Sequence, residues 1–230
     1  MGSLQKLSLY SSLYWGFWPH VNLEGVHFPN LKSLALGNFS FYEDKQLDWI
    51  IMHSTLQELY LDNCPILSHI RMLDSDGHEF SHCPIPKKDM QRNKKDDREH
   101  NYSYPRRWHE HFVVIETGLP HLRHFRFGIN EAWDEYGLPF ETEENVVPAL
   151  TQHRYMRFDD GTGPYQFIEF EDDRGRFGPG GLRPTCDEED RDALKALYRK
   201  IGQRLDCETF SIGRYMVEDL VQKKDLDYID

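Results

Sequence analysis

Leu31-Lys32-Ser33-Leu34-Ala35-Leu36 and Leu56-Gln57-Glu58-Leu59-Tyr60-Leu61 share one pattern, LxxLxL. It opens the chain at Leu4-Gln5-Lys6-Leu7-Ser8-Leu9 and returns at Leu122-Arg123-His124-Phe125-Arg126-Phe127, with phenylalanine at two leucine positions. The intervals between copies are 27, 25 and 66 residues. The first two match the period of a leucine-rich repeat, and the third is one such period plus about 40 extra residues. That repeat also wants Asn or Cys at its ninth position and an apolar residue at its eleventh. Cys64 with Ile66, and Asn130 with Ala132, comply; Ser12 and Phe39 depart at the ninth position.

Strand side chains alternate, so positions four and six of each copy face inward. Leu7, Leu9, Leu34, Leu36, Leu59, Leu61, Phe125 and Phe127 are therefore expected to be buried on adjacent parallel strands. The ninth residue stands where it can bond backbone groups at the strand exit, which otherwise lack partners. No copy can bury its apolar face alone, so the copies must stack. The segments between them differ. Leu47, Ile50 and Ile51 at i, i+3, i+4 predict a helix inside Glu43–His53, and Trp108, Phe112 and Ile115 predict another. Gly16, Pro19 and Gly25 make Trp15–Phe28 an irregular return.

The extra residues before the fourth copy lie within Arg71–Arg107. Lys87–His100 holds six basic and four acidic residues with Met90 as its one apolar side chain. It reads as a flexible loop, because such a run buries too little surface to offset its ordering entropy. A basic docking or localisation patch is the alternative, weakened by the interleaved Asp89, Asp96, Asp97 and Glu99. Glu131–Leu150 is acidic and aperiodic. Tyr155–Phe158 and Tyr165–Phe170 flank an Asp/Gly-rich turn and predict a β-hairpin. Arg174–Pro184 is linker-like. Thr185 and Glu188 suggest a capping box before an amphipathic helix with Leu194, Leu197, Tyr198, Ile201 and Leu205 on one face. This helix is expected to cap the open end of the stack.

The predicted class is α/β: a short leucine-rich-repeat solenoid, with parallel strands and helical or irregular returns, followed by a hairpin and a capping helix. Residues 1–150 form the repeat region, with a flexible insertion at about 71–107, and residues 151–230 carry the hairpin, the Gly/Pro linker and the helix.

The run Phe28-Pro29-Asn30-Leu31 through Leu36-Gly37-Asn38-Phe39 resembles the leucine-rich region of fungal F-box-type proteins. Gln46-Leu47-Asp48-Trp49-Ile50, Leu56 through Leu67, and Gly118-Leu119-Pro120-His121-Leu122 through Gly128 are similar to that group as well. The resemblance covers roughly residues 1–130, with a weaker echo in Ala193–Arg204. It implies a substrate-recognition subunit of a cullin-type ubiquitin ligase, in which an N-terminal F-box binds a Skp-type adaptor. Leu119-Pro120 and Leu138-Pro139 are the only Leu-Pro pairs, and neither stands where an F-box would begin. Adaptor binding is thus expected only if an F-box lies upstream of Met1.

The charge balance, 27 Lys+Arg against 39 Asp+Glu for a net −12, argues against nucleic acid, whose binders need a basic face. No stretch reaches the ~20 apolar residues of a membrane span. The N-terminus does not read as a signal segment, and Lys6 occupies the position where myristoylation wants Ser or Thr. Four scattered cysteines without CxxC read as free thiols in an intracellular protein.

Chemistry is sparse. His109 with His111, His121 with His124, and His78 with His82 and Cys83 fall short of four converging zinc ligands. Asp74, Asp76 and Glu79 around Gly77 lack calcium-loop spacing. No phosphate-binding loop, GxSxG or HExxH occurs, Gly161–Gly163 and Gly178–Gly181 read as turns, and nothing fixes a Cys83–histidine pair for catalysis. No catalytic, cofactor or metal residue is assigned, and the chain reads as a non-enzyme. The expected function is protein binding through the concave face, at positions three, five, seven and eight of each copy. Tyr10, Glu58, Tyr60, Asp62, His124 and Arg126 are the candidate partner-binding residues, with Tyr and Arg the types that dominate hot spots. A scaffold unrelated to ubiquitin, or an enzyme built from residues distant in sequence, are the other readings. The first strand is expected to be an unprotected edge, with Tyr14, Trp15, Phe17 and Trp18 adding apolar surface there.

Overall fold

A computed structural model describes residues 4–74, 83–129, 150, 152–159, 166–169 and 184–203. Within them lie strands β1 (Lys6–Leu9), β2 (Ser33–Gly37), β3 (Glu58–Asp62), β4 (Ile66–Leu73), β5 (Gln91–Arg92), β6 (Glu99–Tyr102), β7 (His124–Gly128), β8 (Tyr155–Asp159) and β9 (Gln166–Glu169). The helices are α1 (Asp44–Ile51), α2 (Trp108–Gly118) and α3 (Asp187–Ile201).

The LxxLxL copies form one parallel sheet, ordered β1-β2-β3-β7. Their registers coincide: Leu7 pairs with Leu34, Leu34 with Leu59 and Leu59 with Phe125, and the row Leu9–Leu36–Leu61–Phe127 follows two residues on. A one-residue slip would turn these side chains to the opposite face, so the pattern fixes the pairing. Leu34, Leu36, Leu59, Leu61, Phe125 and Phe127 are buried, while Leu7 and Leu9 on the end strand are half-buried. The aromatic residues that follow β1 do not all add to its exposed end: Trp15 and Phe17 are buried. Trp15 packs edge-on against Phe39, and Phe17 against Tyr42 and Phe158. The expectation failed because the irregular return folds back beneath the strand exits.

Both predicted return helices are present. At the start of α1, Gln46 Oε1 accepts the Tyr42 N–H at 2.7 Å, and Gln46 Nε2 donates to the Ser40 carbonyl at 3.0 Å. Such contacts satisfy groups that a helix start leaves unpaired. α2 buries Trp108, His111, Phe112 and Ile115 beneath the sheet.

A second, mixed sheet is announced in the sequence by its β8–β9 hairpin alone. Its order is β5-β6-β4-β8-β9, with β4 and β8 parallel and the other pairs antiparallel. Lys87–His100, expected as a flexible loop, contributes β5 and the start of β6. Backbone pairing costs no apolar side chains, and here only Met90 and His100 need burial, so the charged composition concealed an edge hairpin. The predicted β8–β9 hairpin is present. The capping box before α3 is not: its N-cap is Cys186, and Thr185 is exposed. The helix ends at Gly202 in the left-handed region (φ 73°), a conformation that favours glycine. Tyr198 reaches Phe125, and Gln203 Oε1 accepts the Phe125 N–H at 2.9 Å. That contact occupies a backbone donor on the far edge of the parallel sheet. Leu150, Tyr155, Leu194 and Leu197 share one apolar cluster with Leu34, Leu59 and Phe125.

Two buried imidazoles make stability sensitive to acid. His53 Nε2 accepts the Phe28 N–H at 3.1 Å, so Nδ1 carries the proton and donates to the Trp49 carbonyl at 2.8 Å. Burial, with His27 nearby, holds its pKa below the usual imidazole value. Burial pushes His111 down to about 4. The unfolded chain takes up these protons near pH 6.5 and the folded chain resists them. Stability is therefore full above pH 6.5 and declines as pH falls towards 4. His111 alone is expected to cost on the order of 2 kcal/mol between pH 7 and pH 5. Urea midpoints at the two pH values measure the loss, and His111→Phe should flatten the difference.

Candidate functional site

Opposite the leucine rows, strand register brings the candidate residues together. Lys6, Ser33, Glu58 and His124 form one row, Ser8, Ala35, Tyr60 and Arg126 the next, and Gly37, Asp62 and Gly128 a third. The rings of Tyr60 and His124 lie 5.3 Å apart. Burial, then the neighbouring Arg126, lowers the His124 pKa, so the imidazole is neutral at pH 7 and presents one donor and one acceptor.

Burial is uneven across this face. Tyr60 and Asp62 are buried, at 6% and 4% exposure, and Ala35 with Tyr60 forms a small apolar cluster against Tyr10. Tyr10 lies over Gly37, where a Cβ would strike its ring. Lys6 and Ser8 are exposed, and Glu58, His124 and Arg126 are half-buried. The reachable part is thus a polar rim around a floor of Tyr10 and Tyr60. Gly37→Ala should cost about 1–3 kcal/mol by overpacking. In Tyr10→Ala the same substitution should cost far less, and a thermodynamic cycle from denaturant unfolding measures the coupling.

Position eight does different work from that expected. Asn38 and Asn63 have φ of 56° and 48°, in the left-handed region, which asparagine tolerates better than most residues. Asn63 Nδ2 donates to Asn38 Oδ1 at 2.7 Å, Asn38 Nδ2 to the Ser11 carbonyl at 2.6 Å, and the Tyr14 hydroxyl to Asn63 Oδ1 at 3.2 Å. This ladder ties successive strand exits together. At position nine, Cys64 Sγ lies 3.3 Å from the carbonyls of both Leu36 and Asp62, as that position predicts. In the copy with Phe39 there, the Trp15 indole donates to the Gly37 carbonyl at 2.7 Å instead.

A buried polar centre was missed from sequence. Asp190, fully buried on α3, accepts from the His109 N–H (2.9 Å), His109 Nδ1 (3.0 Å), Arg154 Nε (2.9 Å) and the Tyr155 hydroxyl (2.8 Å). Arg154 also pairs with Asp187. Tyr155 in turn accepts the Trp108 N–H at 2.8 Å. Asp190 and Tyr155 therefore cap the N-terminus of α2, where a carboxylate is favoured. Burial, then Asp190, raises the Tyr155 pKa, so its hydroxyl keeps the proton it donates. The signal was present: Asp190 stands four residues before Leu194, on the apolar face of α3. Ligand atoms of His109, Cys186 and Asp190 lie within 4.8 Å of one another. A cation there would compete with the Arg154 guanidinium, and burial pushes the Cys186 thiol pKa up, so this set fits helix capping better than metal binding.

The paired histidines of α2 diverge: His109 meets Asp190, while His111 Nε2 meets the Tyr104 hydroxyl at 3.2 Å. His121 is exposed and apart from them. Asp76, Gly77, His78, Glu79, His82, Asn130, the glycine runs at 161–163 and 178–181, and Cys207 lie outside the described residues. On the second sheet, Arg71 bonds Asp159 through Nε (2.8 Å) and Nη2 (2.6 Å), and approaches Glu99 at 3.5 Å. This links β4, β6 and β8.

No family model, no curated protein and no solved structure matches this chain. Among the described residues, no helix is long and apolar enough to cross a membrane.

Proposed function

We propose that the parallel sheet is a short leucine-rich-repeat solenoid and that the protein works as a protein-interaction module, binding its partner across the non-core face. The observation that carries this reading is the common register of all four copies. It sets Lys6, Ser8, Glu58, His124 and Arg126 on one face, around the Tyr10–Tyr60 floor. Residues projecting from paired strands keep fixed spacings, and a partner that finds them pre-organised loses less entropy on binding. The mixture of cations, a carboxylate and tyrosine suits a polypeptide surface. The resemblance to fungal F-box-type proteins extends the proposal to substrate recognition in a cullin-type ubiquitin ligase, with a Skp-type adaptor engaged through an F-box upstream of this region.

The test is quantitative affinity capture from native cells, comparing the full-length protein with its Ser8→Arg/Arg126→Glu variant. The ligase reading expects adaptor and cullin with both proteins, and clients with the unaltered one alone. Clients without adaptor or cullin would indicate a scaffold unrelated to ubiquitin. Identical partners for both proteins would overturn binding through this face.

A further inference from the structure

The return between β1 and β2 and the helix α1 after β2 are neighbours of unlike build. Residues 20–28 hold no helix, and Asn22 Oδ1 bends them by accepting the Glu24 N–H at 2.8 Å. Two bonds tie the end of this return to α1 and the turn after it: Trp49 Nε1 to the Val26 carbonyl at 2.8 Å, and the Phe28 N–H to His53 Nε2 at 3.1 Å. Between the return and α1 lies an open groove of about 520 Å³, within the size range of ligand pockets. All of its lining lies in described residues.

Its chemistry is two-sided. Leu23, Trp49 and Met52 give it apolar wall, with Met52 accessible at 44% exposure. Glu24, Glu43 and Asp48 stand along it against one ammonium, Lys45, whose Nζ is 4.0 Å from Glu24. Lys45 and Glu24 offset each other, which leaves the charges of Glu43 and Asp48. An anionic occupant would be repelled, on a chain already at net −12. A cation with an attached apolar group would satisfy both sides.

We propose that this groove docks a short peptide segment of a partner protein, one that carries an aliphatic or aromatic anchor beside a Lys or Arg. The anchor rests against Leu23, Trp49 and Met52, and the cation faces Asp48 and Glu43. This is the arrangement by which grooves read short motifs: apolar contact for affinity, charge for specificity. The surface is separate from the strand face, so either proposal can fail while the other stands.

The probe is a random heptapeptide display library panned on the purified chain. Enriched peptides are then synthesised and titrated by fluorescence anisotropy. Enrichment of Lys or Arg next to Leu, Ile or Phe is expected. Asp48→Lys should weaken the best peptide about tenfold, and Met52→Ala about threefold. Asp192→Lys makes the same charge change on α3, which packs on α2, and should leave affinity within about twofold because distant charges are screened. Should Asp48→Lys fail to fold, Asp48→Asn carries the test with a smaller loss. Absence of any enriched peptide, enrichment without a basic residue, or equal loss from Asp48→Lys and Asp192→Lys would overturn the proposal.

Discussion

Asp190→Ala is expected to destabilise the protein by about 3–5 kcal/mol, the scale of breaking a buried ion pair by removing one partner. Asp190 and Arg154 are both inaccessible to solvent along their side chains, and their Oδ2–Nε contact is 2.9 Å. Deleting the carboxylate removes the fully buried anion from a fully buried guanidinium, and Asp187, its other carboxylate among the described residues, is partly exposed. It also strands the Tyr155 hydroxyl and the His109 N–H at the start of α2. Replacing both charges, as in Asp190→Leu/Arg154→Met, should recover part of the loss, because a hydrophobic pair avoids the desolvation cost. Denaturant unfolding measures both. A single-variant loss below about 1 kcal/mol, the scale of an exposed pair, would mean that the carboxylate is solvated and does not cap α2.

Leu59→Ala is the second large effect, at about 2–5 kcal/mol for a buried leucine. Leu59 is fully buried on a central strand, paired with Leu34 on one side and Phe125 on the other. Backbone pairing on both sides limits how far the site can collapse around the lost volume. Leu7→Ala, on the half-buried end strand, should cost markedly less. Equal losses at the two positions would contradict the placement of β3 at the centre of the sheet.

The parallel sheet was legible because apolar residues two apart, in a motif repeated after 27, 25 and 66 residues, have one pairing that buries them. Register, neighbours and inward face followed from Leu34, Leu59 and Phe125 alone. The rest of the second sheet was hidden for the opposite reason. In β6 the sequence Glu-His-Asn-Tyr earns its place through backbone pairing with β4 and through Glu99 near Arg71, and neither leaves an apolar period. The candidate site was half legible. Alternation set Glu58, Tyr60, Asp62, His124 and Arg126 on one face, but it carries no information about how deeply a face is covered. Tyr60 and Asp62 turned out to be buried, and Asn38 and Asn63 to be cross-strand ties. The Asp190 centre depends on residues 36 and 81 positions away in the chain, and no local pattern announces such a convergence.

Partner binding across the non-core face of the parallel sheet is open to site-specific photocrosslinking. A photoreactive side chain is placed at Ser8 or at Arg126, on that face, and for comparison at Val113, exposed on α2. In native cells one shared crosslinked protein is expected from positions 8 and 126, absent from position 113 and lost when Glu58 is also changed to Lys. The same adducts from all three positions, or adducts from position 113 alone, would contradict it.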